Sequence, residues 1–236
     1  MLLTWDVEEF DWRLLGGRKL PPADQIGVTA EGVRRILPIH DRHGVTATFF
    51  VTGAFAAAET ELVAAMAKAG HEVGVHRLEH GDDYATLEPV DAVDRLVRAR
   101  ELVETASGRE ATGMRTPRLR HCRAAVVRDA GFAYDASPHP TWVPGRYFGL
   151  HYRREPWREE GIARVPISVL PGLRMPVSWM WIQLAGSRLG LLGAPALISA
   201  HTGSPFLEGL DRLLAWSKGR LTSMSVGDVV TSLKSV

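Results

Sequence analysis

Short apolar or β-branched runs alternate along this chain with amphipathic stretches. The runs Leu2–Val7, Val45–Thr52, Glu72–Val75, Gly113–Thr116, Ala133–Ala136, Ala163–Ser168, Ala196–Ala200 and Leu221–Ser225 have the length and side-chain branching of strands. Between them, Phe55–Ala69, Val90–Thr105, Cys122–Ala130 and Phe206–Ser217 read as helices; in the second, Val93, Leu96, Val97 and Val103 recur at helical spacing. Five helical stretches stop at a glycine (Gly44, Gly70, Gly108, Gly131 and Gly219), the residue that most readily takes the left-handed conformation closing a helix. Strand–helix alternation of this kind predicts an α/β fold built on a parallel sheet. Eight strand candidates in 236 residues suit a distorted (β/α)7–8 barrel in a single domain, 1–236. An open doubly wound sheet is the alternative, but no G-x-G-x-x-G or Walker-type glycine loop follows an early strand. The pattern lapses between Pro138 and Arg164, where Trp142, Tyr147, His151 and Trp157 stand among arginines, and a long functional loop is expected there.

Composition narrows the function. With 28 basic and 27 acidic side chains the net charge is +1, which leaves no basic stripe for nucleic acid. Cys122 is the single cysteine, so neither an internal disulfide framework nor a cysteine-based zinc knuckle can form. The opening Met1–Trp5 runs at once into Asp6, Glu8, Glu9 and Asp11, unlike a secretory leader. The most apolar window, Val177–Ala200, is interrupted by Gln183, Arg188 and Pro195, so no membrane span is expected. A cytoplasmic location is the resulting expectation.

In a parallel barrel, reacting groups collect where strands end. The first strand candidate ends in Asp6-Val7-Glu8-Glu9, and the third runs into His76-Arg77-Leu78-Glu79-His80. The fourth carries Arg115-Thr116-Pro117, the fifth Tyr134-Asp135, and the seventh ends at His201. His76 and His80 are four apart, a spacing that lets two imidazoles share one ion on a helical turn. Asp6 and Glu8 are two apart in a strand and face the same side, so one can ligate while the other serves as a base. Two histidines and a carboxylate leave positions open for water or substrate, as hydrolytic metal sites require. Glu9 and Glu79 read as solvated charges, and His40, His43, His71, His121 and His139 as helix-end or loop residues without a partner pattern.

The order of these short motifs resembles the polysaccharide deacetylase family, carbohydrate esterase family 4 with its NodB-homology domain. The resembling segments are Thr4-Trp5-Asp6-Val7-Glu8, His76-Arg77-Leu78-Glu79-His80, Arg115-Thr116-Pro117-Arg118, the stretch from Asp135 to Trp142, and Leu197-Ile198-Ser199-Ala200-His201. The resemblance implies a NodB-like barrel and a metal-dependent hydrolase that removes acetyl or formyl from an amino sugar. By the same resemblance Asp6 is the catalytic base and Glu8, His76 and His80 hold a divalent cation, zinc first, with cobalt or nickel as alternatives. Arg115 orients the base, His201 protonates the departing amine, and Trp142 walls the substrate pocket. Asp135 and Arg118 are further candidate substrate contacts, Asp135 also as the carboxylate that orients His201.

Three positions depart from the family pattern. Arg77 stands where Ser or Thr is usual, Arg118 replaces an aromatic after the proline, and Ser199 replaces a leucine of the acyl pocket. The first two changes turn the reading away from a neutral polysaccharide groove, and the more polar acyl pocket leaves formyl open beside acetyl. With no export signal read at its start, the expected substrate is an intracellular small-molecule or carrier-linked amino sugar (nucleotide-, lipid- or natural-product-linked) whose phosphate Arg118, Arg120, Arg146, Arg153 and Arg154 can meet. Val177–Ile182 is a candidate for peripheral contact with a lipid carrier. The oligomeric state is not legible. Three competing readings stand beside this one. His76–His80 also spells H-x-x-E-H, an inverted zinc-protease motif with Glu79 as base, which needs a long helix at that point. The same fold also opens cyclic amides and imides, in some relatives without metal. A catalytically silent sugar- or lipid-binding module is the third.

Overall fold

Four strands wound in chain order lay down one side of the molecule: β1 (Thr4–Val7), β2 (Thr48–Val51), β3 (Glu72–Val75) and β4 (Gly113–Met114). The computed structural model describes residues 1–11, 14, 17–79, 82–143, 147–170, 172, 174 and 202–233. Next come β5 (Tyr134–Asp135), a hairpin of β6 (Trp142–Val143) and β7 (Tyr147–Phe148), and a second hairpin of β8 (Trp157–Glu159) and β9 (Ile162–Arg164). The main sheet runs β1-β2-β3-β4-β5-β9-β8. Every pair in it is parallel except β8–β9. β1 to β5 are neighbours in chain order, without the reversal about the first strand that marks a doubly wound sheet, and the β8–β9 hairpin then joins through β9. The winding is that of the expected (β/α) barrel, and Leu221–Ser225 returns to the residues before β1 through a parallel Leu2–Met224 bridge and a bond from the Met224 amide to the Met1 carbonyl at 3.1 Å. The seventh strand candidate, Ala196–Ala200, and the apolar stretch Val177–Ile182 lie outside the described residues.

The helices are α1 (Pro22–His43), α2 (Gly53–Ala58), α3 (Thr60–Lys68), α4 (Pro89–Ser107), α5 (Ala124–Asp129), α6 (Ser204–Ser217) and α7 (Val226–Ser232). Phe55–Ala69, read as one helix, divides at Glu59 into α2 and α3. The expected stops hold: Gly44, Gly70, Gly108, Gly131 and Gly219 all have positive φ. Trp5, Val7, Phe49, Val51, Phe55, Ile36, Leu96 and Val103 are buried together between the sheet and its helices. No helix among the described residues is long and apolar enough to cross a membrane.

The end of the sheet opposite the candidate chemistry is tied by one carboxylate. Glu72, at the start of β3, accepts hydrogen bonds from Thr48 Oγ1 at 2.7 Å, Tyr134 Oη at 2.8 Å and the Gly227 amide at 3.0 Å. Gly113 makes room for this arrangement, because a Cβ there would stand 1.9 Å from the Tyr134 ring.

Two histidines expected at helix ends or loops are core residues. His40 Nε2 accepts from Trp5 Nε1 at 3.0 Å, and its Nδ1 faces the Val45 carbonyl at 3.0 Å. His71 Nδ1 accepts from the Ala47 amide at 3.3 Å. The rings stand 5.2 Å apart, edge to face. Each uses a ring nitrogen as an acceptor, which a protonated imidazole cannot offer. Burial, and then the neighbouring His40, pull the His71 pKa from 6.5 down to about 4. Between those values the unfolded chain binds the extra proton, so this contribution is complete above pH 6.5 and is lost as pH falls towards 4. The loss is at most about 3 kcal/mol. Urea unfolding at pH 7.5 and pH 5 should show it, and His71→Asn should flatten the difference.

Candidate active site

β1 alternates half-buried and buried positions, with Trp5 and Val7 turned into the core and Thr4 and Asp6 to the other face. That face meets Arg115, the residue after β4. Arg115 Nη1 donates to Asp6 Oδ1 at 3.0 Å and to Thr4 Oγ1 at 2.8 Å, and its Nε donates to the Ala136 carbonyl at 3.0 Å. Its guanidinium also lies over the Phe50 ring, 4.5 Å from the centroid. Contacts from β1, β2 and the end of β5 therefore hold the guanidinium, and it in turn aims the Asp6 carboxylate. The Arg115 side chain is 8% exposed and that of Asp6 37%, so the acid keeps an open side.

Two residues beyond Asp6, Glu8 meets the end of β3. The Thr29 hydroxyl of α1 donates to the Glu8 carbonyl at 2.6 Å and anchors this turn. The His76 amide continues the ladder by donating to the Val51 carbonyl at 2.9 Å, which sets the ring at the rim. Glu8 Oε2 and His76 Nε2 are 3.2 Å apart. Arg77, 2% exposed, ion-pairs with the same carboxylate oxygen. The segment after His76 is held at both sides. The α2 amides of Gly53 and Ala54 donate to the Arg77 and Leu78 carbonyls at 2.7 and 2.9 Å. Asp82 Oδ2 accepts from the Leu78 and Glu79 amides at 3.1 and 3.2 Å and from the Tyr84 hydroxyl at 3.2 Å, and Arg95 Nε donates to Asp82 Oδ1 at 2.5 Å. Burial, then the Asp82 charge, push the Tyr84 phenol upward, so it stays a neutral donor.

The described donors fit one edge of a divalent-cation site. Ligands about 2.0–2.2 Å from an ion in tetrahedral array stand about 3.3–3.6 Å from each other, close to the Glu8–His76 separation. His76 Nδ1 is sealed from solvent with no hydrogen-bond partner among the described residues. His80, the expected third ligand, and His201, the expected acid, lie outside the described residues. Among the described residues no cluster of three histidine, cysteine or acidic side chains forms.

Other expected residues fall elsewhere. Asp135 is not open to a substrate: it is 1% exposed and ion-paired with Arg164, itself 2% exposed. The Ser137 amide donates to its other oxygen at 2.8 Å. Asp135 thus sits in a buried ion pair, and His201, which it was expected to orient, lies outside the described residues. Trp142 is 51% exposed on the β6–β7 hairpin, directly opposite Phe148, 72% exposed. Directly opposite residues share one face of an antiparallel pair, so the two exposed rings lie on the same face of the hairpin. Phe148 had no signal of its own in the sequence. Arg118 has φ of 54° and Leu119 of 55°, two successive left-handed residues in the turn after β4. Glu9, read as solvated, is 8% exposed and accepts from Thr52 Oγ1 at 3.0 Å. Glu79 is exposed and paired with Arg95, and residues 76–79 form no helix, which removes the support for the inverted zinc-protease reading.

The Asp6–Arg115 and Glu8–His76 contacts thus meet at the strand ends. Residues 24–134 fit a family described as Polysaccharide deacetylase. The match is to the polysaccharide deacetylases. A chitooligosaccharide deacetylase from Bradyrhizobium is 28% identical over 144 residues, 59% of this chain and 58% of that protein. The chain thus spans less than two thirds of that curated relative. A protein from Mycobacterium smegmatis described as a polysaccharide deacetylase superposes with a TM-score of 0.66 at 19% identity, over 98% of this chain and 88% of that one. A PuuE allantoinase superposes almost as well, with a TM-score of 0.65 at 16% identity over 98% and 88% of the two chains. At such identities the superpositions establish the fold, and the side chains must decide the chemistry.

Proposed function

We propose that the chain is a metal-dependent amide hydrolase that removes a small N-acyl group, acetyl or formyl, from a small-molecule or carrier-linked amino sugar. The observation that carries this reading is Asp6, aimed by Arg115 at 3.0 Å, beside the Glu8–His76 pair. Pure binding needs no oriented base, which sets this reading above a silent sugar- or lipid-binding module.

Glu8 and His76, with His80 as the third ligand, would hold a divalent cation, zinc first. Such a cation polarises the amide carbonyl and acidifies water there. Asp6 takes the proton of the attacking water, and Arg115 directs its carboxylate at that proton. Thr4 and the Ala136 carbonyl prevent the guanidinium from swinging away. His201 returns a proton to the amine, without which so basic a group would leave slowly. Trp142 and Phe148, exposed on one face of the β6–β7 hairpin, would offer rings for the sugar's apolar face.

A second reading rests on the Arg77–Glu8 ion pair. A fixed guanidinium on the expected ligand supplies positive charge at the position of a cation, as a metal-free hydrolase of a cyclic amide or imide would use it. Metal analysis separates the two. For the deacetylase, complete chelation abolishes amine release and added Zn²⁺ or Co²⁺ restores it, while Glu8→Gln loses the cation in equilibrium dialysis. Full activity on a cyclic amide after verified metal removal would select the second reading.

A further inference from the structure

A cavity of about 180 Å³ opens beside the catalytic rim, between the segment after β3 and the turn after β4. Its walls include Arg77, Arg118, Arg120, Asp82, Asp83 and Thr116. It abuts the candidate active site at two points. Arg77 is the side chain that grips Glu8, and Thr116 follows Arg115 directly in the chain.

One positive charge in this cavity lacks a counter-charge among the described residues. Asp82 is spent: one oxygen binds Arg95, and the other takes two amides and the Tyr84 hydroxyl. Asp83 is occupied by Arg120, with Nε to Oδ1 at 3.3 Å, and by the Ala85 amide at 3.2 Å. Arg118 forms no ion pair among the described residues, and the left-handed turn at Arg118 and Leu119 places it on the cavity wall. Arg77 is engaged by Glu8 and Arg120 by Asp83, which leaves Arg118 as the guanidinium of this lining without an ion pair among the described residues. A space this size holds several waters or one tetrahedral oxyanion. Arginine meets such a group through paired, charge-assisted hydrogen bonds. Arg153 and Arg154, expected beside Arg118 on the sequence, are exposed and do not line it.

We propose that this cavity is an oxyanion subsite that receives a phosphate carried by the substrate, with Arg118 as its principal ligand and Arg120 exchanging Asp83 for the anion. The proposal rests on the N-deacylase reading above and deepens it: the substrate is an anionic N-acyl amino sugar rather than a neutral glycan. Arg77, already engaged with Glu8, borders both sites and forces the acyl group and the phosphate to lie on opposite sides of it.

Two measurements test this separately. Inorganic phosphate is titrated calorimetrically into the protein, into Arg118→Gln and into Arg118→Gln/Arg120→Gln. Turnover is then compared for an N-acetylhexosamine phosphate and the same sugar without phosphate. The expected results are saturable phosphate binding that weakens about 10- to 100-fold in Arg118→Gln, from the loss of a charged hydrogen-bond donor, and a similar fall in the kcat/KM ratio of phosphorylated to neutral sugar. Arg118→Lys should recover part of the phosphate affinity. Equal turnover of both sugars, with phosphate binding indifferent to Arg118, would overturn the subsite and leave the deacylase standing. Arg118-dependent phosphate binding without turnover of either sugar would keep the subsite and remove the deacylase.

Discussion

Asp6→Asn is expected to lower kcat by about 10²- to 10⁴-fold, the range that a positioned general base contributes, with little change in KM. The amide keeps the shape and the contact with Arg115 but cannot accept a proton from water. The fold should tolerate the change. The Asp6 side chain is 37% exposed, and Arg115 keeps its bonds to Thr4 and Ala136 and its place over Phe50. Thermal melting should therefore move by only a few degrees. The readout is amine release under single-turnover conditions, together with the melting curve. Retention of more than a tenth of the activity would place the base elsewhere, with Glu8 the nearest carboxylate in sequence. A large melting shift would instead mean that Asp6 holds Arg115 for stability.

The second large effect concerns stability and comes from a buried ion pair. Asp135→Asn is expected to destabilise the protein by about 3–5 kcal/mol, the cost of leaving one partner of a buried ion pair uncompensated. Arg164 would retain Glu159, at 2.6 Å from its Nε, and the Cys122 carbonyl at 2.9 Å. Glu159 is 42% exposed, so water screens its charge and it cannot replace a carboxylate that is 1% exposed. In a chain of this length each kcal/mol moves the melting temperature by about 2–4 °C, so a drop of about 10 °C is expected. The double change Asp135→Asn/Arg164→Met should recover part of the loss, because it removes the stranded charge. A loss below about 1 kcal/mol, measured by urea unfolding, would show that the pair is solvated. Since β5 and β9 carry the two residues as register partners, the pair also locks the last parallel step of the sheet.

The metal and phosphate tests complement these two, because they probe opposite sides of Arg77. Its guanidinium stands between the Glu8 carboxylate and the arginine-lined cavity, so it joins the candidate chemistry to the candidate specificity. A serine or threonine there, as the resembling family has, would leave Glu8 with a freer carboxylate and the cavity with one less positive wall.

Local pattern alone determined much of this protein. The strand Glu72–Val75 has the same limits in sequence and structure, and the five helix-stopping glycines all adopt positive φ. Both are short-range properties: β-branched residues suit a pleated backbone, and glycine carries no Cβ to clash in the left-handed region. The rule that parallel strands deliver their chemistry at one end placed Asp6 and Arg115 at the same rim, and the family resemblance implied their pairing across 109 residues. The strands of two and three residues in the Pro138–Arg164 region were too short to show a period, so their hairpins and the antiparallel edge were not legible.

Tertiary structure decided the fate of individual polar groups. Glu9 and Asp135 differ little in type from Glu79 and Asp6, yet the first two are buried and the others keep an exposed side. The difference lies in partners supplied from elsewhere in the chain: Thr52 for Glu9, Arg164 for Asp135. The same holds for Arg77, whose grip on Glu8 depends on where β1 and β3 end relative to each other. A charged side chain enters the interior only where another segment offers a matching group, because the cost of leaving water must be offset on the spot. That match is a property of the packed sheet, and no window of neighbouring residues contains it.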